Sequence, residues 1–225
     1  TLAAIIEKSS NIGAIKIANQ LGKKRLFEYV KKFGFGEKVG IDLPGESRGQ
    51  LRELENWSRL SGPSISFGHE IGVTPIQMIT AFSAIANGGN LMHPHITQKV
   101  IHNGAVIKVI KPVVVNRAIS TKVSRQMVDI LKNVVQKGTG TKAAVSGFEV
   151  AGKTGTAQKY DPQIQSYSKG AYLSSFIGFV PADAPRLAIL VMIDEPQKVF
   201  WGGDVAAPVF RDGAPSSYSR FGRHG

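Results

Sequence analysis

The chain has 225 residues, 42% hydrophobic and 20% charged, with a formal net charge of +12 from 28 basic and 16 acidic side chains. That is the size and composition of one globular domain with a core. The absence of cysteine excludes disulfides and thiolate metal sites. The positive charge suits an anionic environment such as a membrane surface, a wall polymer or a nucleic acid. The basic residues are scattered, with doublets at Lys23-Lys24 and Lys31-Lys32 and no basic run interleaved with aromatics. They read as a solubilising surface, and no nucleic-acid partner is expected. No run of eighteen apolar residues offers a membrane span. His93 and His95 flank Pro94 and are read as loop residues, with no metal site expected.

The chain opens inside an apolar pattern, Thr1-Leu2-Ala3-Ala4-Ile5-Ile6, with no initiator Met and no signal peptide. It therefore reads as a piece of a longer protein. Residues 2–6 are expected to end a buried helix. A second helix follows over 12–21, with Ile12, Ile15, Ala18 and Leu21 on one face, and Gly22 stops it. A short helix over 23–32 ends at the Phe33-Gly34-Phe35-Gly36 turn. From Gly36 to about Ser61 the pattern is irregular and predicts a long, partly ordered loop. Thr74-Pro75-Ile76-Gln77 is a capping box with proline at the first helical position. That helix carries Ile79, Phe82 and Ile85 and ends at Asn87-Gly88-Gly89. Residues 96–101 and 105–110 alternate like strands around a His102-Asn103-Gly104 hairpin signal. Ser120 is placed to cap a helix carrying Val123, Met127, Ile130, Leu131 and Val134, which Gly138 ends.

The last third predicts strands over 148–158, 171–180 and 186–194, the last two joined by Asp183-Ala184-Pro185. Short links imply antiparallel pairing, and helices followed by strands imply an α+β domain. No internal repeat or domain boundary is evident. After Phe210 the sequence becomes aperiodic, and 212–225 is expected to be a flexible or atypical tail beside part of a domain over 1–211.

Two short motifs carry chemistry. Ser9-Ser10-Asn11 falls at a helix junction, where taken alone it reads as a cap. Lys153-Thr154-Gly155-Thr156 falls within a strand, and alone it is a common tripeptide with a threonine appended. In this order they match the second and third motifs of the penicillin-binding protein and serine β-lactamase set, S-x-N and K-T-G. Further collinear segments extend the match. These are Lys32–Gly36 with Gly40–Glu46, Ser66-Phe67-Gly68 with Val73–Gln77, Ala86–Gly89 with Pro94-His95, Val150–Gln158, Phe176–Pro181 and Ala206–Phe210. Over residues 1 to about 211 the chain resembles the transpeptidase domain of class B, monofunctional penicillin-binding proteins of cell division and elongation.

The resemblance implies a serine β-lactamase-like α+β fold, an antiparallel sheet flanked by helices, here incomplete. It implies a peptidoglycan D,D-transpeptidase that works through a serine acyl-enzyme, with no cofactor and no metal. Ser9 and Asn11 would be catalytic with Lys153, whose cation would help keep the base lysine of S-x-x-K unprotonated. Thr154 and Thr156 would grip the substrate carboxylate, Gly155 would allow close approach, and the Thr156 N–H would donate to the oxyanion. Implied partners are peptidoglycan stem peptides, β-lactam antibiotics and membrane-anchored wall-synthesis proteins such as a glycosyltransferase. The implied location is the bacterial envelope, outside a cytoplasmic membrane anchor. In the family S-x-x-K precedes the S-x-N motif, which places it before Thr1. Neither Ser120–Val123 nor Ser168-Lys169 fits, so this stretch alone is expected to be inactive. The family also continues from the Pro-Val-Phe segment into a helix, which Asp212-Gly213-Ala214-Pro215 is expected to break.

A rival reading, a P-loop-like NTPase, overlaps the second motif. Gly147–Thr154 satisfies G-x-x-x-x-G-K-[ST], and Leu187–Ile193 with Asp194-Glu195 resembles a strand ending in a magnesium-binding acid. A phosphate-binding loop needs a strand before it and a helix after it, and neither is predicted. Gly138-Thr139-Gly140-Thr141 is read as a turn rather than a second phosphate cradle. A β-lactam sensor or β-lactamase of the same fold is the other alternative.

Overall fold

The computed structural model describes residues 1–222. The chain forms two compact units. One joins Thr1–Ala14 to the chain from Ser124 onward, and the other is Ile15–Val123. The crossings fall inside helices α2 (Asn11–Leu21) and α6 (Thr121–Lys137). No linker composition marks either crossing, which is why the boundary is invisible in the sequence.

The first unit is built on a three-stranded antiparallel sheet, β5 (Ala151–Asp161), β6 (Ser166–Val180) and β7 (Leu187–Asp194), in the order β5-β6-β7. The three predicted strands are all present, and β6 is central. Helix α7 (Gly202–Ser217) packs on the sheet. Phe176 of β6 meets Phe210 of α7 edge-on, with ring centroids 4.9 Å apart, and both are fully buried. Val135, Val150, Val180, Ala206, Ala207 and Ala214 fill the same core. Two cross-strand partners, Gly152 and Gly178, make the room. A Cβ at Gly152 would overlap the Phe176 ring, and one at Gly178 would lie 2.9 Å from it.

Helix α7 corrects one expectation. It runs through Asp212-Gly213-Ala214-Pro215 to Ser217, although Pro208 and Pro215 lie inside it and each removes a helical hydrogen bond. Burial of Phe210 and Ala214 outweighs that loss. Tyr218, just beyond, packs its ring 4.9 Å from Phe148. The predicted flexible tail is thus helical over 212–217, and its last residues, 223–225, lie outside the described residues.

Helices α1 (Leu2–Glu7) and α2 meet where Gly13 receives Ile5, whose side chain occupies the space a Cβ would need. α1 is not buried as expected, since Leu2 is exposed, and Ile12 is 70% exposed although the α2 pattern placed it on the inner face. In α6 the expected inner face is met at Leu131 and Val134 and missed at Val123. Ser124, Leu131, Val134 and Val135 are buried and Val123 is exposed, while Ser120 accepts from the Val123 N–H as its cap.

The second unit is organised around α5 (Pro75–Ala86), whose capping box forms as predicted. Gln77 has a further role. Fully buried, it donates through Nε2 to the carbonyls of Glu37 (2.7 Å) and Arg48 (2.9 Å). The loop from Gly36 to Ser61 is therefore held in place with little regular structure, a single 3-10 turn over Leu54–Asn56. Glu46 accepts from the Val39 and Gly40 amides, and Gln50 bridges Gly72. Trp57 donates to the Arg52 carbonyl and packs edge-on against Phe27 of α3 (Lys23–Lys32). A short helix, α4 (Ser61–Ser66), and a two-stranded pair, β1 (Asn90–Met92) with β4 (Val114–Arg117), carry too few residues for any periodicity and went unpredicted. The hairpin β2 (Lys99–His102) and β3 (Ala105–Val109) turns at Asn103 and Gly104, both with positive φ. Asp42 anchors the stretch before β2 by accepting from the Ile96 and Thr97 amides at 2.8 Å, and hydrogen bonding from the Thr97 side chain together with these amides holds its carboxyl far below the usual range.

Candidate active site

The Ser9-Ser10-Asn11 motif separates into distinct structural tasks. Ser10 takes the helix-cap role, its hydroxyl accepting from the Gly13 amide at 3.2 Å. That releases Ser9, whose backbone is left-handed (φ 51°), a conformation strained for a residue with a Cβ. In it the Ser9 hydroxyl accepts a 2.7 Å hydrogen bond from Lys153 Nζ across 144 residues of sequence. Asn11, the first residue of α2, is exposed on the rim of the same cleft.

Lys153 lies on β5, an edge strand. Its Nζ also donates to the Thr154 carbonyl (2.9 Å) and reaches the Thr154 hydroxyl (3.4 Å). Burial without an opposing carboxylate lowers its pKa from 10.5 to about 8. Thr156 accepts from the Gly202 amide at 2.9 Å, which ties the strand to the start of α7. The space beside Gly155 is filled from the neighbouring strand, where a Cβ would lie 2.5 Å from Ser175 Oγ. The close approach there is by protein, including the Gly202 backbone.

Ser9, Asn11, Thr154 and Thr156 line a cleft of about 410 Å³, with Lys153 reaching its wall through Ser9. Several lining residues were not singled out as site residues from the sequence: Lys8, Thr139, Lys142, Trp201 and Asp204. Lys142 and Asp204 pair at 2.8 Å. The Gly138–Thr141 run was the one available signal, since the turn it forms brings Thr139 to the cleft.

The phosphate-loop alternative fails on this geometry. Lys153 and Thr154 sit inside a strand that continues to Asp161, with no helix after the lysine. Asp194 and Glu195 are ion-paired with Lys159. The sequence contains one Ser-x-x-Lys spacing, Ser166-Tyr167-Ser168-Lys169, and it lies at the start of strand β6, not on a helix. It lacks the helical turn that brings a serine and a lysine three residues apart to one face.

An α+β unit with a Lys-Thr-Gly edge strand set against a Ser-x-Asn turn defines a class, and comparison agrees. Residues 1–213 match the penicillin binding protein transpeptidase domain, and the chain belongs to that family. It is 40% identical over 222 residues to stage V sporulation protein D of Bacillus subtilis, and 32% identical over 212 residues to the peptidoglycan D,D-transpeptidase FtsI of Escherichia coli. Those alignments cover 96% and 93% of this chain and 34% of each relative. The chain thus spans about a third of the length of the relatives it matches. Penicillin binding protein 3 of Mycobacterium tuberculosis, solved in complex with aztreonam, superposes with a TM-score of 0.89 at 32% identity, over 97% of this chain and 51% of that one.

Proposed function

We propose that this chain forms the S-x-N and K-T-G sides of a peptidoglycan D,D-transpeptidase active site. It would act in a polypeptide that also supplies the S-x-x-K serine and lysine. The observation that carries the reading is the 2.7 Å hydrogen bond from Lys153 Nζ to Ser9 Oγ at the cleft wall. It joins the two motifs in the family's pairing.

The reaction is acyl transfer. The nucleophilic serine hydroxyl attacks the carbonyl of a D-Ala-D-Ala amide, and its proton passes to the base lysine. The C–N bond breaks, D-Ala leaves with a proton delivered through Ser9, and a serine ester remains. An amine of a second stem peptide then attacks the ester, forms the new amide and restores the serine. Lys153 supplies positive charge beside this proton path. Asn11 carries a donor and an acceptor for the substrate amide. The Thr156 N–H stabilises the oxyanion, a contribution of roughly 3 kcal/mol for such a donor. The Thr154 and Thr156 hydroxyls bind the substrate carboxylate, and the Thr156 oxygen already accepts from Gly202, which leaves its proton to donate. A β-lactam enters as a mimic of the same dipeptide. The reading places the protein in the bacterial envelope with other wall-synthesis enzymes, a membrane-anchored glycosyltransferase among them. Among the described residues no helix is long and apolar enough to cross a membrane.

The test is the second-order acylation rate with a fluorescent penicillin, measured on full-length protein containing these residues. Lys153→Ala is expected to lose several orders of magnitude. Lys153→Arg, which keeps the charge on a bulkier fork, is expected to retain part of the rate. Parental acylation by Lys153→Ala would falsify the assignment.

A further inference from the structure

We propose that Thr139, in the Gly138-Thr139-Gly140-Thr141 turn, is a positioning residue that sets the Lys153 amine against Ser9. The inference rests on the transpeptidase reading of that pair.

Thr139 touches both partners' neighbours at once. Its amide donates to the carbonyl of Glu7 at 3.2 Å, two residues before Ser9. Its hydroxyl is 2.8 Å from the hydroxyl of Thr154, the residue after Lys153. Its carbonyl lies where a Cβ on Gly203 would fall, so the first turn of α7 closes over it. The turn is held from behind as well. The space beside Gly138 is taken by the Glu7 carbonyl and the Val134 backbone, and that beside Gly140 by the Phe176 ring. One residue thus bridges α1, β5 and α7 at the cleft wall.

Donor and acceptor supply allows this arrangement. An ammonium can only donate, so Lys153 Nζ donates toward the Thr154 hydroxyl oxygen and to the Thr154 carbonyl. Thr154 Oγ1 has two lone pairs and can accept from both the amine and the Thr139 hydroxyl, which leaves the Thr154 proton for the substrate carboxylate. The Thr139 bond holds the Thr154 oxygen toward the amine, where it supports the charged lysine. Replacing the Thr139 hydroxyl by a methyl group removes that bond. The Thr154 side chain is then free to rotate, and the amine is less firmly aimed at Ser9. Among the described residues no carboxylate compensates at the lysine. The charged groups around the cleft are Lys8 from the α1–α2 turn, Lys142 from the turn after α6 and Asp204 from α7, and Asp204 is paired with Lys142. β6 faces Lys153 with Ile177.

The experiment compares Thr139→Val and Thr139→Ser with Lys153→Ala in the full-length protein, by acylation rate with a fluorescent penicillin from pH 6 to 10. Melting temperatures are measured alongside. Thr139→Val is expected to acylate roughly twofold to tenfold more slowly, the loss of one neutral hydrogen bond beside a charged centre. Its alkaline limb should move to lower pH. Thr139→Ser should recover most of the rate and the parental limb. Parental behaviour of Thr139→Val, a loss with the limb unmoved, or an equal loss in Thr139→Ser overturns the role. If Lys153→Ala itself acylates at the parental rate, the underlying transpeptidase reading has failed. If Lys153→Ala is inactive and Thr139→Val is parental, only the role of Thr139 has.

Discussion

At the scale of single residues, the site depends on a lysine kept in an unfavourable environment. The Lys153 pKa is lowered to about 8 because burial penalises its charged form and no acid offsets the cost. If its cation is needed, the acylation rate should fall as pH rises through about 8. An unperturbed lysine would hold the rate to about 10.5. A rate flat to pH 10 would show that the charge is not used. Stability follows the opposite course. Below about 8 both folded and unfolded chains carry the charge, and the burial cost is fully present. Between about 8 and 10.5 the unfolded chain binds more protons, so stability should rise with pH. Thermal denaturation across that interval, with Lys153→Met as the control lacking the titration, isolates the contribution. Ser9 is strained in a related way, because its left-handed backbone is held while its hydroxyl meets the amine. The motif itself was legible in the sequence. The division of labour within it, with Ser10 capping and Ser9 facing Lys153, was not, because both serines are chemically able to cap.

At the scale of elements, the edge strand β5 and helix α7 hold the site against the core. Gly152 and Gly178 lie opposite each other so that the Phe176 and Phe210 rings fit between sheet and helix. Gly152→Ala puts a methyl group into the Phe176 ring and is expected to destabilise by about 1–3 kcal/mol, as overpacking does. Phe210→Ala empties the same place and should cost about 3–5 kcal/mol. Urea denaturation of the full-length protein measures both. A Gly152→Ala protein with an unchanged midpoint would mean that the ring moves aside freely. The strand periods and the α5 capping box were readable because each uses a local signal of several residues. The continuation of α7 through Gly213 and Pro215 was not, because local propensity opposed it and only burial of Phe210 and Ala214 decides it. The loop from Gly36 to Ser61 is a similar case. Part of its order comes from one buried glutamine, Gln77, whose capping role was visible and whose bonds to Glu37 and Arg48 were not.

At the scale of the whole molecule, the net charge of +12 is spread over the surface and should act through long-range attraction. Co-sedimentation with an anionic wall polymer is expected at low ionic strength and should be lost by roughly 0.5 M salt, where screening acts within a few ångströms. Retention in high salt would point to a specific contact. The sequence by itself determined the family, the α+β class, the three antiparallel strands and the two motifs. Those features are written in short-range periodicity and in residues whose chemistry is distinctive. Only the tertiary structure decided the division into two units, the completion of α7, and the joining of Thr139, Lys153 and Ser9 at one cleft wall. Each of these depends on contacts between residues far apart in the chain or on burial that overrides local preference, and neither leaves a mark in the order of the amino acids.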